Sequence, residues 1–382
     1  MITRLEVDGF KSLRGFSVDL EPFTVLIGPN GAGKSNILEA IGLLHRLRED
    51  SGPEVALKGG RGRPSDQFSR YRSSAVSEMT IAAEVLEESD LPRETSVIVL
   101  RHVRYELSLI KKETSKAGIV QVELDRRPPR IADKWPEWLD AHPAWTEYVY
   151  DTSDLEEHGL SPSFDLVQLQ DLNVGEASDR LDAGKLAADG SNLPTVLASL
   201  PDSVLADIRI EMAALVPGVS NFEVKEIDDS YRIDFFMRDG DVVPARLISN
   251  GTLRLLVLLT ALYSQQSWPS IISIEEPENG IYPGRLRRFI ELLREVTNPH
   301  TLEDAVNPPP QVIVTSHSPV FLAALREHPR HIRYIDTVRR GPCRTTRARP
   351  VGTLANAQEG RDKISLAEIA EILESATGRE DR

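Results

Sequence analysis

The chain carries a complete phosphate-binding pattern near its start. Residues 28–35, Gly-Pro-Asn-Gly-Ala-Gly-Lys-Ser, match G-x-x-x-x-G-K-[ST] at every fixed position. In such a loop, backbone N–H groups surround phosphate oxygens, the lysine reaches the β- and γ-phosphates, and the hydroxyl binds Mg²⁺. Lys34 and Ser35 hold the last two roles. The backbone around the phosphates would come from Asn30, Gly31, Ala32 and Gly33. A glycine-rich turn without a ligand is the alternative.

Two adjacent carboxylates follow a second apolar segment. Residues 271–274, Ile-Ile-Ser-Ile, lead directly into Glu275 and Glu276. At the carboxyl end of a buried strand, one carboxylate can hold a metal ion and the other can act as general base for an attacking water. We expect Glu275 on the metal side and Glu276 as the base. A solvated loop between a strand and a helix is the alternative.

Two further segments carry polar groups that could contact a nucleotide. Ser249, Asn250 and Gly251 precede the apolar residues 253–262. Ser249 could therefore cap a helix, or the free N–H groups of that helix could bind a second anion. His317 follows the apolar residues 312–315, where it could contact a γ-phosphate or serve only in capping or packing. These residues alone leave both alternatives open.

Hydrophobic periodicity predicts an α/β fold that positions these segments. Alternating strands and helices in the final third indicate a parallel sheet, and three strands after residue 78 indicate an antiparallel set. Residues 50–75 are predicted as a loop, and residue 126 begins an irregular connection that leads into helices. Strands are predicted at 2–7, 16–20, 23–27, 79–86, 97–109, 119–124, 271–274 and 312–315, with a hairpin of 222–224 and 231–236. Helices are predicted at 35–47, 193–200, 204–215, 251–264, 284–296, 320–326 and 364–373.

Composition limits the classes of protein to which the chain can belong. Its 382 residues carry 59 acidic against 45 basic side chains, a net charge of −14, which argues against indiscriminate nucleic-acid binding. The single cysteine, Cys343, excludes an intramolecular disulfide and a multi-cysteine metal site. The most apolar stretch, residues 255–262, is shorter than the roughly 18–20 residues that cross a bilayer. We expect a cytoplasmic protein with no membrane partner.

In this order the segments resemble ABC-type ATPases, in the RecF- and SMC-like branch that includes the AAA_21 ATPases. Residues 249–254 resemble the signature motif, 274–283 the Walker B segment and D-loop, and 315–319 the switch histidine. The resemblance extends to residues 9–13, Gly-Phe-Lys-Ser-Leu, and to the ATPase portion of overcoming-lysogenization-defect nucleases. The nuclease of that family is a C-terminal Toprim domain with an Asp-x-Asp. Only about 65 residues follow His317 and none forms Asp-x-Asp, so no nuclease is expected.

The resemblance implies an ABC-ATPase head that binds and hydrolyses ATP with Mg²⁺. Ser35 and Glu275 would hold the metal, Glu276 and His317 would be catalytic, and Asn279 would be a D-loop residue. ATP would lie between two heads, so an ATP-dependent homodimer is implied, with the phosphate loop of one head facing Ser249, Asn250 and Gly251 of the other. Gln67 is the best-placed candidate for the Q-loop glutamine. DNA and a separately encoded effector protein are the possible further partners, in DNA repair or antiviral defence.

The implied head has three parts. Residues 1–125 and 265–350 would form a nucleotide-binding lobe, with the sheet around the phosphate loop and an antiparallel β subdomain. Residues 126–264 would form the helical lobe that carries the signature, and residues 351–382 a helical tail.

Two basic segments could contact phosphates. Residues 326–349 hold eight arginines against Glu327 and Asp336, and residues 58–72 hold five basic side chains against Asp66. The alternative is that they are solvated loops or contacts to an acidic partner.

Other functions share the phosphate loop. A transporter motor subunit would need a membrane partner. A P-loop phosphotransferase would need a substrate pocket and would give Ser249 no role across subunits. A regulatory binder would hold ATP with negligible turnover.

Overall fold

A computed structural model describes residues 1–48, 52–71, 74–88, 99–113, 120–140, 149–151, 164–168, 174–181, 184–264, 270–298, 309–340, 343–352 and 363–380. Its strands are β1 Ile2–Asp8, β2 Phe16–Asp19, β3 Phe23–Ile27, β4 Arg70–Tyr71, β5 Ser74–Ala75, β6 Glu78–Glu88, β7 Val99–Glu113, β8 Val120–Ile131, β9 Val149–Asp151, β10 Asp165–Gln168, β11 Ser178–Asp179, β12 Val219–Ile227, β13 Ser230–Met237, β14 Val242–Pro244, β15 Ser270–Glu275, β16 Gln311–Ser316, β17 Ile332–Arg340, β18 Cys343–Gly352 and β19 Ile364–Ser365. Its helices are α1 Lys34–Arg46, α2 Pro53–Lys58, α3 Glu137–Asp140, α4 Leu193–Ser199, α5 Asp202–Leu215, α6 Asn250–Tyr263, α7 Leu286–Val296, α8 Pro319–Ala324 and α9 Leu366–Glu380. None of these helices is both long enough and apolar enough to cross a membrane.

The central sheet has the strand order β10-β15-β16-β3-β17-β18-β19. Its strands from β10 to β17 run parallel, and β18 returns antiparallel to β17. Strands β3 and β16 are buried at every residue, as is expected of parallel strands covered on both faces. The predicted α/β fold with a parallel sheet is confirmed.

Parallel pairing brings the chemically distinctive segments to one edge of this sheet. Glu275 at the end of β15 pairs with Thr315, and Ser316 at the end of β16 pairs with Ile27. Because the carboxyl ends of parallel strands meet at one edge, the loops that follow β3, β15 and β16 converge there. These loops carry the phosphate-binding pattern, the two glutamates and His317.

The antiparallel set is also confirmed, as a second sheet of order β2-β1-β6-β7-β8. The expected irregular connection at residue 126 is wrong, because β8 continues to Ile131. Among the residues that the structure describes, β8 pairs only with β7, so Pro128 and Pro129 lie on an edge strand that can lack their N–H groups. A register shift between Arg104 and Glu106 on β7 accommodates them.

The chain before α6 forms a smaller layer that packs against that helix. Strands β12 and β13 pair across a turn at Asp228 and Asp229, which confirms the predicted hairpin. Helices α4 and α5 confirm the predicted helices at 193–200 and 204–215. Buried side chains of α4, α5, α6 and the hairpin belong to one hydrophobic core.

Regular structure occurs in the segment predicted as a loop and in one of the two basic segments. Residues 50–75 contain α2 and a 3₁₀ turn, Pro64–Gln67, and both begin with a proline at the first helical position, where its missing N–H costs nothing. The arginine-rich residues 326–349 run through the β17–β18 hairpin. Asp336 binds Arg347 at 2.8 Å and Arg349 at 2.8 Å, so these two guanidiniums are paired within the chain. The alternation of side chains along paired strands places the three groups together.

Candidate nucleotide-binding site

The phosphate loop connects β3 to α1 in the conformation that its glycines allow. Gly31 and Gly33 have φ values of +73° and +101°, a left-handed backbone that residues with a Cβ rarely adopt. Gly33, the residue before α1, has no side chain with which to cap the helix. The first N–H groups of this 13-residue helix are therefore free to bind an anion, and the residues present fit a nucleotide phosphate. Asn30 and Gly31 are exposed at the mouth of the loop.

Lys34 is folded onto its own loop. Its Nζ donates to the carbonyl oxygens of Gly28 at 2.7 Å and Pro29 at 3.1 Å. Burial lowers the pKa of Lys34, and the nearby carboxylates of Glu275, Glu276 and Glu278 oppose that shift. A bound phosphate would supply the negative charge that this buried ammonium group lacks.

Ser35 and Glu275 form a pair of hard oxygen donors. The Ser35 hydroxyl donates to Glu275 Oε2 at 3.2 Å across the edge of the sheet. A hydroxyl and a carboxylate oxygen at this separation suit Mg²⁺, which prefers oxygen ligands. Arg61 Nη2 also lies 3.2 Å from Glu275 Oε2, so a cation already balances this carboxylate.

Glu276 and His317 lie side by side. His317 Nδ1 is 2.9 Å from Glu276 Oε1, and Asn279 Nδ2 donates to Glu276 Oε2 at 3.1 Å. Glu276 has a φ of +46°, an unusual backbone conformation for a residue with a side chain, and its N–H donates to Thr315 O at 3.0 Å. Such strain is held in place by surrounding contacts and is common at functional sites. The carboxylate is partly exposed and could accept a proton from a water molecule.

The signature segment lies at the exposed N-terminus of α6. Ser249 caps the helix, because its Oγ accepts a hydrogen bond from the Thr252 N–H at 3.3 Å. Ser249 and Asn250 are both exposed. Gly251 packs closely on Gly280, which follows the two glutamates, and Arg254 donates to the carbonyl oxygen of Glu275. The start of α6 is therefore held against the end of β15 at Glu275, while Ser249 and Asn250 face solvent.

Several contacts at the site were not predicted from the sequence. Arg61 binds Glu275, Glu278 accepts a hydrogen bond from Ser316, and Thr346 donates to Ala32 O in the phosphate loop. Gln67, the candidate for the Q-loop glutamine, is fully buried, and its amide donates to Leu57 O. From the same segment, residues 53–67, Arg61 reaches Glu275. The nearness of Glu278 to Glu276 in sequence could have identified that residue, whereas nothing in the sequence points to Thr346.

A family model matches most of the chain. The model described as "AAA domain, putative AbiEii toxin, Type IV TA system" covers residues 23–323, from the strand before the phosphate loop to the helix after His317.

Short segments also match characterised proteins. Over 65 residues the chain is 53% identical to Structural maintenance of chromosomes protein 1 of Schizosaccharomyces pombe, covering 15% of this chain and 5% of that protein. It is 48% identical over 44 residues to the OLD nuclease of Thermus scotoductus, covering 12% and 8%, respectively. It is 42% identical over 65 residues to the DNA replication and repair protein RecF of Mesorhizobium japonicum, covering 16% and 17%. The matches thus span less than a fifth of each relative's length.

Solved structures share the fold over nearly the whole chain. The SmcHead bound to the C-winged helix domain of ScpA aligns with a TM-score of 0.56 at 19% identity, covering 94% of this chain and 99% of that one. The Smc head domain with a coiled coil and joint from Pyrococcus yayanosii aligns with a TM-score of 0.53 at 12% identity, covering 98% and 99%. At these identities the alignments establish the fold alone.

Proposed function

The chain belongs to the AAA_21 family of ABC-type, RecF- and SMC-like ATPases, and on that premise we propose that it works as an ATP-driven switch. It is an ATP-binding ATPase. In the proposed cycle, two heads close on ATP, hydrolysis reopens them, and the motion acts on DNA or on an effector protein. ATP binding stabilises the closed pair because the nucleotide contacts both heads only in that state.

One observation carries this proposal. Ser249 lies at the exposed tip of α6, and its hydrogen bonds join it to Thr252 of its own helix. The free N–H groups of such a helix start suit a phosphate, and α6 is 14 residues long. A second head could supply that phosphate from its own loop at residues 28–35. In such a pair of heads, the exposed phosphate loop of each head would face the exposed start of α6 of the other.

The chain's own residues then divide the work of hydrolysis. The loop amides and Lys34 would hold the β- and γ-phosphates, and Glu276 would take the proton of the attacking water. His317, whose Nδ1 lies 2.9 Å from Glu276 Oε1, would orient that carboxylate and contact the γ-phosphate. Ser35 and Glu275 would hold Mg²⁺, which supplies charge neutralisation for the transferred phosphoryl group.

Mixing two inactive variants tests whether the site is shared. Lys34→Ala disables the phosphate loop and Ser249→Arg blocks the signature, so each variant alone should lose nearly all ATP turnover. In a mixed dimer, one intact loop faces one intact Ser249. We therefore expect an equimolar mixture to recover about a quarter of wild-type turnover, since about half of the dimers are mixed and each has one working site of two.

A double variant provides the control. Mixing either single variant with Lys34→Ala/Ser249→Arg leaves no complete site and should restore nothing. Absence of recovery in the first mixture, at protein concentrations where wild-type turnover is saturated, would show that each head works alone and would favour a phosphotransferase-like site.

For the partner, we propose that the end of the β17–β18 hairpin binds nucleic-acid phosphates. Arg339 and Arg344 are paired across the two strands, and both are exposed, as is Arg340. Three exposed guanidiniums at one end of a hairpin form a basic patch of the kind that contacts nucleic-acid phosphates. The same strand contacts the phosphate loop through Thr346, so occupancy of the hairpin could influence the ATP site.

Salt-dependent binding tests the hairpin. Replacing Arg339, Arg340 and Arg344 with alanine should weaken binding to a fluorescein-labelled DNA duplex and lower the salt slope of log K by about 3. A matched triple variant at the exposed Arg130, Arg285 and Arg287, which lie outside both basic segments, changes the net charge equally and should bind like wild type. Equal losses in the two triple variants would rule out a specific role for the hairpin.

A further inference from the structure

A third carboxylate enters the site from the D-loop. Glu278 lies in a 3₁₀ turn, Pro277–Asn279, that directly follows Glu276. Its Oε1 accepts a hydrogen bond from Ser316 Oγ at 2.6 Å. Its Oε2 is buried and has no hydrogen-bond partner among the described residues. One oxygen of this carboxylate is therefore committed to Ser316, and the charge of the other is not neutralised by a direct partner.

Ser316 is the residue on which this contact acts. It is fully buried at the end of β16, immediately before His317. Its Oγ also accepts the N–H of Ser318 at 3.1 Å, and its carbonyl oxygen accepts the N–H of Gly28 at 3.2 Å. The backbone is thus fixed on both sides of His317 and is tied to the first glycine of the phosphate loop.

The negative charge of Glu278 also affects Lys34. Together with the charges of Glu276 and Glu275 it raises the pKa of Lys34, against the lowering by burial. Glu278 therefore has two effects that can be separated: it accepts a hydrogen bond from Ser316, and it places a negative charge near Lys34. Glutamine at this position keeps an acceptor oxygen and removes the charge, which allows the two to be distinguished.

We propose that Glu278 is a positioning residue for ATP hydrolysis, which acts by holding Ser316 so that His317 stays beside Glu276. The hydrogen bond is charge-assisted and short, and such bonds are stronger than those between neutral groups. Misplacement of a catalytic group by about 1 Å can cost about 100-fold in rate. The inference rests on the roles of Glu276 and His317 proposed above.

A double-mutant cycle of Glu278→Ala and Ser316→Ala tests the proposal. Each single variant is expected to lower kcat for ATP hydrolysis by about 10- to 100-fold, because His317 is no longer held in place. The KM for ATP should change by less than about threefold, since neither side chain that is removed forms a hydrogen bond with the phosphate loop. The double variant should be no slower than the slower single variant, because both changes remove one interaction. Glu278→Gln retains the acceptor and is expected to keep kcat within about threefold of wild type.

Glu291→Ala, at a partly exposed position of α7 remote from the phosphate loop, is the matched control and should leave both kcat and KM unchanged. Wild-type kcat in Glu278→Ala, strictly additive losses in the double variant, or a loss confined to KM would overturn the proposal. If Glu278→Ala does not fold, Ser316→Ala decides the question, since wild-type kcat in that variant also overturns it. A wild-type protein without ATP turnover would instead refute the proposed function itself, so the two failures are distinguishable.

Discussion

Replacing Glu276 with glutamine is expected to lower kcat for ATP hydrolysis by about 10²- to 10⁴-fold while ATP still binds. Glutamine has nearly the same shape, so it can preserve the contacts with Asn279 and His317, but it cannot accept a proton from water. Phosphate release under multiple turnover measures the loss, and titration with a fluorescent ATP analogue measures the binding.

Glu327→Gln is a suitable control for this change. Glu327 is exposed on the segment between α8 and β17, so removal of its charge should leave hydrolysis unchanged. A Glu276→Gln variant with a kcat within tenfold of wild type would contradict the assignment of Glu276 as the base. Another carboxylate of the edge, Glu275 or Glu278, would then have to be tested in that role.

A second large effect is expected at Gly33. Its φ of +101° is unfavourable for alanine, and an added Cβ would lie 2.1 Å from Thr346 Oγ1 and 2.8 Å from Ser12 Oγ. Two hydrogen bonds hold the Thr346 side chain in place: its Oγ1 donates to Ala32 O at 2.9 Å and lies 2.7 Å from Ser12 Oγ. We expect Gly33→Ala to lower the free energy of unfolding by about 2–4 kcal/mol and ATP affinity by at least about 100-fold. Denaturant unfolding without nucleotide measures the first effect.

Gly31→Ala separates backbone strain from steric overlap. Gly31 also has a positive φ, +73°, but an added Cβ would meet no heavy atom of the described residues within 4 Å. Its replacement should therefore cost only the strain, about 1 kcal/mol of unfolding free energy. Equal costs at the two positions would show that Thr346 does not hold the phosphate loop.

The sequence predicts the centre of this site because its elements are locally determined. The apolar runs that form β3, β15 and β16 indicate buried parallel strands, and their carboxyl ends must then meet at one edge. That argument alone brings Glu276 and His317 close together. The exposed serine at the start of α6 likewise follows from capping preferences.

Contacts that depend on the packing of distant segments escape such reasoning. Thr346 reaches the phosphate loop only because β18 returns along β17, and Arg61 reaches Glu275 only because residues 53–67 fold back over α1. Strand β8 can contain two prolines because it lies at the edge of its sheet, and the sequence of one strand does not reveal whether that strand lies at an edge. Charge dominates the composition of residues 326–349, so the sequence left open whether they contact phosphates or form solvated loops, whereas Asp336 pairs two of the arginines within a hairpin.

The solution mass of the Glu276→Gln variant, measured by light scattering with and without Mg²⁺ and ATP, tests the central claim most directly. Because this variant should bind ATP without hydrolysing it, we predict that the mass rises from one chain to two when ATP is added. A further Ser249→Arg change should abolish the rise by blocking the phosphate contact of the second head. A mass that does not change with saturating ATP, whether that of one chain or of two, would contradict an ATP-driven closure of two heads.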